Sequence, residues 1–290
     1  MNHVSVLLGP AIEYLAIRPG GVYVDATFGA GGHARAILER LRDGQLIALD
    51  ADPLAGARAA VVADPRFTFV QANFRDLTRV LDRHAIESVD GVLFDLGVSS
   101  MQLDDAERGF SLGKPAALDM RMDPTVGPSA YEILTTAGES ELADIFFRYG
   151  EQRMARRIAR AIVARRSHGA LPNTTAEFAA FVAGIVHRRG QRERIHPATR
   201  VFQALRIAVN DELDALRDGL HGAIGRLRGA GRIVAISFHS LEDRIVKQTF
   251  RDDERLDVLT RRPILPEDDE VARNRRARSA KLRSAQRKAG

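Results

Sequence analysis

The chain has 290 residues, 45% hydrophobic and 28% charged, with a net charge of +5; this is the composition of a globular protein with a large core. It contains no cysteine, which excludes disulfides, thiolate zinc sites and cysteine nucleophiles, and with them thiolate-dependent methylation of pyrimidine carbon 5 and cysteine-ligated zinc deamination. No apolar run approaches the roughly 20 residues that span a bilayer, and the N-terminus lacks the basic region and apolar stretch of a signal peptide, so a cytoplasmic protein with no membrane partner is expected.

In chain order, Val22-Tyr23-Val24 is a β-branched and aromatic run that predicts a buried strand. It ends on Asp25. A glycine turn follows, Gly29-Ala30-Gly31-Gly32, and then a helical pattern from His33 to Leu41. Glycines let a backbone turn tightly and approach a ligand closely, and a helix N-terminus adds free N–H groups. The turn also fits the dinucleotide pattern G-x-G-x-x-A at Gly29, Gly31 and Ala34. Asp25 discriminates between ligands. A pyrophosphate is repelled by a carboxylate at the strand end, whereas a cationic amino-acid moiety is attracted. S-adenosylmethionine, with an ammonium, a sulfonium and no phosphate, is therefore the expected cofactor, and no metal is expected.

A second strand, Gln45 to Leu49, ends on Asp50, which is placed to hold a ribose hydroxyl pair. Asp52-Pro53 opens a helix, Leu54 to Val62. A third strand, Phe67 to Val70, precedes Phe74, which either packs on an adenine face or belongs to the core. A fourth, Gly91 to Phe94, ends on Asp95 and runs into Leu96-Gly97-Val98-Ser99-Ser100. Four strands deliver polar residues at their C-terminal ends, the edge where open α/β sheets bind ligands.

The alternation then breaks. Gln102 to Ala130 has no clear period, and a span this long inside a compact domain is usually functional. Helices follow: a stripe of Met154, Ile158 and Ile162; a cap at Thr174 to Glu177; and a helix opened by His196-Pro197 and running to Leu216. Gly231 to Phe238 predicts a fifth strand, and His239 to Arg244 leads into a helix. Ser279 to Arg283 is read as a last edge strand, in a tail beyond Arg251 that is expected to be partly disordered. The fold class expected is α/β: a Rossmann-like sheet that binds S-adenosylmethionine (1–112 and 211–290) with an inserted all-helical domain (113–210).

Four of the 43 basic residues are lysines, a skew that reflects base composition rather than ligand. Clustering says more. Arg148 to Arg166 holds seven arginines and one acid, Arg188 to Arg206 six and one, and Arg273 to Lys288 eight basic residues and no acid. Any one such run is commonly a solvated face. Three of them beside a cofactor fold point to nucleic acid.

Seven landmarks in order carry a resemblance. They are His3 to Leu8, Asp25 to His33, Asp95 to Ser100, Gln102 through Phe110, Leu118 to Asp123, His196 to Arg200 and Ser237 to Arg244. The chain resembles the RsmH (MraW) family, which methylates the exocyclic N(4) amine of a cytosine in 16S ribosomal RNA. The resemblance implies cofactor contacts at Gly31, Gly32, His33, Asp50, Phe74, Asp95 and Gln102, and an RNA target in the decoding region of the small subunit. Asp25 and Gly29 complete the expected cofactor set. Asp95, Ser99 and His239 are the catalytic candidates, with Asp95 serving either the base or only the cofactor, and His239 either the substrate or the structure. The chain lacks the S/N/D-P-P-Y/F/W box of amino-methylating DNA enzymes and has Asp95-Leu96-Gly97-Val98 in its place. Rival readings are a dinucleotide oxidoreductase, a non-catalytic RNA-binding or assembly factor, and a methyltransferase for DNA or protein. Monomer and homodimer are both open.

Overall fold

The computed structural model describes residues 5–113, 115–186 and 196–289. His3, Val4, Lys114 and the Arg188, Arg189, Arg192 and Arg194 part of the middle basic run lie outside the described residues. The chain divides into two compact units, Met1–Gly97 with Leu213–Gly290, and Val98–Glu212.

In the first unit the elements run α1 (Leu8–Leu15), β1 (Val22–Asp25), α2 (Gly32–Leu38), β2 (Gln45–Asp50), α3 (Leu54–Ala59), β3 (Phe67–Gln71), α4 (Leu77–Arg83) and β4 (Val89–Asp95). The second unit carries α5 (Ser100–Asp104), α6 (Ala130–Thr136), α7 (Glu139–Arg148), α8 (Ala155–Ser167), α9 (Thr175–Val186) and α10 (Thr199–Asn210). The chain continues through α11 (Glu212–Arg226), β5 (Leu227–Ser237), α12 (Ser240–Asp252), β6 (Leu256–Val258), α13 (Asp268–Arg273) and β7 (Lys281–Arg287).

The sheet order is β3-β2-β1-β4-β5-β7-β6. β1 to β5 pair in parallel, and β7 runs antiparallel to both β5 and β6. Parallel strands need helical crossovers, which cover both faces of the sheet, so its strands read as continuous apolar runs. β4 fits: Val89 to Phe94 are all buried. One face packs Ile12, Leu15, Tyr23, Ile37, Leu46, Leu93 and Ile236 into one core.

The C-terminal tail departs from the expectation. It is built into the sheet, and β7 is an interior strand with β6 at the edge. The strand expected at Ser279 to Arg283 is present as Lys281–Arg287, but Lys281-Leu-Arg-Ser-Ala-Gln-Arg lacks apolar alternation, so nothing local marks it as interior. Tertiary pairs hold it instead: the Arg283 guanidinium, 8% exposed, donates from Nε to Asp243 Oδ1 at 2.6 Å, and Thr260 and Ser284 exchange hydrogen bonds.

The second unit has its own core, around Leu134, Leu142, Phe146, Ile158, Ile162, Phe178, Phe202 and Leu205. The stripe read from Met154 to Ile162 faces it. Thr174 caps α9, its Oγ1 accepting from Glu177 N–H at 3.3 Å. The helix expected from His196 to Leu216 is two helices, divided at Asp211, whose φ of 49° breaks the hydrogen-bond ladder. The aperiodic segment after Asp105 is pinned by remote groups. Arg108 Nη2 donates to the Arg121 and Met122 carbonyls, and Asn210 bonds Met120 O and Met122 N–H.

Candidate active site

β2, β1 and β4 lie side by side and each ends on an acid: Asp50, Asp25 and Asp95. In a parallel sheet these ends share one edge, so three carboxylates separated by 25 to 45 residues of sequence come together.

The glycine turn is fixed by Asp50. Gly29 N–H donates to Asp50 Oδ2 at 2.7 Å, and Asp52 N–H donates to Oδ1 at 2.9 Å. Arg58 Nε donates to the Gly29 carbonyl at 2.8 Å. Burial raises the Asp50 pKa, opposed by those two backbone donors. Two glycines are sterically required. Gly31, at φ 77°, would place a Cβ 2.8 Å from the Phe28 ring, and a Cβ on Gly32 would overlap Ser5 Oγ. A left-handed φ is routine only for glycine.

Asp25 is fully buried. Its Oδ1 accepts from Thr27 N–H at 3.1 Å, while its Oδ2 is buried with no hydrogen-bond partner. Burial, weakened by the Thr27 N–H and reinforced by the Asp50 charge, pushes its pKa up to about 7. An unpaired buried carboxylate is costly, and a cation placed against it would remove that cost. Thr27 joins two strand ends, since its Oγ1 also accepts from Asp95 N–H at 2.6 Å.

Asp95 exposes 23% of its side chain, yet its Oδ1 is buried without a partner. Its Oδ2 lies 3.5 Å from His33 Nδ1. Burial, then the charges of Asp25 and Glu242, raises the Asp95 pKa well above the ordinary carboxylate range. The His33 ring is 4% exposed, with Nε2 3.2 Å from the Val6 carbonyl oxygen. The His33 imidazole is thus held by Val6 and Asp95.

Phe74 is half-buried, its ring edge-to-face with Phe94 at 5.7 Å, and Gly219 leaves room for it. One edge of Phe74 serves the core, and part of the side chain stays accessible. His239 is the N-cap of α12. Its Nδ1 accepts from Glu242 N–H at 3.4 Å, so the ring hydrogen sits on Nε2. Nε2 is 3.2 Å from Glu242 Oε1 but too poorly aligned to hydrogen-bond. The Glu242 carboxylate is buried and accepts from the Phe238 and His239 N–H groups.

Ser99 and Gln102 belong to the second unit and engage each other. Ser99 Oγ accepts from Gln102 N–H at 3.2 Å, and Gln102 Oε1 accepts from Ser99 N–H at 2.9 Å. This is a capping box at the start of α5. Thr27, Arg58 and Glu242 were missed in the sequence. The spacing His239-x-x-Glu242 could have flagged the last as a cap; the first two become visible only when the strands are adjacent.

A sheet of this order, with acids at three neighbouring strand ends and a glycine turn between them, defines a Rossmann-like α/β enzyme of the methyltransferase class. Residues 1–288 match the MraW methylase family, and the chain belongs to it. A ribosomal RNA small subunit methyltransferase H from Thermomicrobium roseum is 50% identical, aligned over 99% of this chain and 94% of that protein. The protein of the same name from Geobacter sulfurreducens is 49% identical over 98% of each. The crystal structure of an rRNA methylase from Streptococcus thermophilus is 10% identical and aligns over 99% of each chain with a TM-score of 0.47. Membership of a methylase family sets aside the oxidoreductase and the non-catalytic readings. No helix among the described residues is long and apolar enough to cross a membrane.

Proposed function

We propose that this chain transfers a methyl group from S-adenosylmethionine to the exocyclic N(4) amine of a cytidine in the decoding region of 16S ribosomal RNA, acting in the cytoplasm on RNA within the small subunit. The RNA substrate is supported by the names of the relatives. The observation that carries the chemistry is the buried, unpartnered Oδ1 of Asp95 at the end of β4.

The residues fit the cofactor. The unpartnered Asp25 Oδ2 suits an ammonium, Asp50 suits a ribose diol, and the accessible part of Phe74 suits an adenine. Gly29, Gly31 and Gly32 form the turn beside these carboxylates. When bound, S-adenosylmethionine supplies an electrophilic methyl group on a sulfonium.

The chain's own residues then deal with a poor nucleophile, since the lone pair of the cytosine amine is conjugated with its ring. Asp95 Oδ1 accepts a hydrogen bond from the amine N–H, which orients the nitrogen and offsets the positive charge that develops on it. The raised basicity of Asp95 favours taking that proton once the nitrogen has been alkylated. His239 Nε2–H, which makes no aligned hydrogen bond although Glu242 Oε1 lies 3.2 Å away, is the candidate donor for an acceptor atom of the base or for a phosphate. Ser99 acts by capping α5.

The helical unit is the RNA-recognition part of this reading. Arg153, Arg156 and Arg157 are exposed and carry no ion pair among the described residues; Arg160 has a solvent-exposed pair with Glu139 at 3.6 Å, which contributes little. The test is a labelled-methyl transfer assay on whole small subunits, naked ribosomal RNA and DNA side by side. Label in RNA or subunits supports the reading, and label in DNA alone refutes it.

A further inference from the structure

His33 enters the sequence reading as a cofactor contact, but its imidazole is turned to other work. The ring is wedged between the Val6 carbonyl and Asp95. A carbonyl oxygen only accepts, so Nε2 carries a hydrogen. On the opposite side of the ring, Nδ1 is 3.5 Å from Asp95 Oδ2. Two bare lone pairs facing each other in a buried place would repel. This facing pair fits one shared proton, as imidazolium against carboxylate or as imidazole against carboxylic acid.

The other groups facing Asp95 make that proton matter. Asp25 approaches from β1 and Glu242 from α12, both acids that oppose its ionisation. Thr27 holds its backbone N–H and supplies no charge. His33, on α2, is the basic partner set against these acids. It also leaves the two carboxylate oxygens unequal. Oδ2 is engaged, and Oδ1 is buried and unpartnered.

We propose that His33 is a positioning residue for the methyl acceptor: it holds one proton against Asp95 Oδ2, fixes the carboxylate plane, and so reserves Oδ1 for the amine N–H. This rests on the role given above to Asp95. In this role His33 acts through Asp95.

Two isosteres separate the ring's contacts. In His33→Asn the amide nitrogen takes the place of Nδ1 and can still donate to Asp95. In His33→Gln it takes the place of Nε2 and can donate only to Val6 O. In cofactor-free full-length protein labelled with ¹³C at aspartate carboxyls, His33→Gln should raise the midpoint of the Asp95 titration by about one pH unit, and His33→Asn should move it less. Single-turnover methylation should fall at least about tenfold in His33→Gln and stay within about threefold in His33→Asn, a split that a purely packing role would not produce. Cofactor affinity should change by less than about threefold in both, because the ring is held between the Val6 carbonyl and Asp95.

Wild-type protein gives a check that needs no variant to fold. The His33 ring nitrogens and the Asp95 carboxyl should titrate together, as a pair sharing one proton must. Independent midpoints would overturn the proposal, and so would equal losses in the two variants. Asp95→Asn at the wild-type rate would overturn the role of Asp95 and the positioning role with it. A slow Asp95→Asn beside an unimpaired His33→Gln would overturn the positioning role alone.

Discussion

The backbone N–H of Gly29 donates to Asp50 Oδ2 at 2.7 Å, so the glycine turn and the end of β2 form one structure. On the proposed function, removing the carboxylate loses a ribose partner and frees the turn. Asp50→Ala should weaken S-adenosylmethionine binding by about 1.5–3 kcal/mol, or about 10- to 150-fold. Calorimetry without added metal measures it, and unchanged affinity would remove Asp50 from the ribose site.

Asp25 makes stability and binding respond to pH in opposite directions. Its folded pKa of about 7 lies above the ordinary 3.8. The neutral form is therefore preferred in the folded protein, and its stabilisation is lost as pH rises from about 4 through about 7. Asp25→Asn cannot ionise. Its stability relative to wild type should rise across that window by on the order of a few kcal/mol and level off above it. Cofactor affinity of the wild type should increase over the same window, as the ionised carboxylate meets the ammonium, and the variant should bind weakly at every pH. Denaturant unfolding and calorimetry from pH 4 to 8 check both; a flat stability difference would mean that Asp25 is solvated.

Charge reversal at Arg156, Arg157 and Arg160 should weaken RNA binding. Losing three phosphate contacts to a single strand should also reduce the salt slope by about 2. An unchanged slope in filter binding from low to high salt would make these arginines a solvated face.

Arg283 is a different kind of basic residue. It is buried against Asp243, so Arg283→Met should leave that carboxylate with only Lys281 Nζ, at 3.4 Å, and destabilise the protein by about 1.5–3 kcal/mol. Urea unfolding checks the loss, and the salt slope of RNA binding by the folded fraction should not move. A stable variant with a reduced slope would return Arg283 to the RNA.

These two sets of arginines show what sequence can and cannot disclose. Both are basic runs, yet one lies exposed on α8 and the other is partly spent inside the sheet, where Arg287 Nη1 also donates to Ile224 O at 2.7 Å. Nothing in Lys281 to Arg287 tells the two apart, because β7 is specified by its neighbours and not by its own alternation. Asp25, Asp50 and Asp95 were legible because each closes a short apolar run, and strand ends gather on one edge whatever lies between them. Thr27 was not legible, since its bridge exists only once β1 and β4 are adjacent. Likewise the imidazole of His33 lies beside the glycine turn in sequence but is turned to Asp95 in space.

The central claim is methylation of an exocyclic amine by an enzyme with no thiolate to activate a ring carbon. Mass spectrometry of nucleosides from digested, enzymatically methylated 16S ribosomal RNA tests it most directly. The account predicts N(4)-methylcytidine, formed much more slowly by Asp95→Asn at saturating cofactor and RNA. A methyl group on carbon 5 would contradict it.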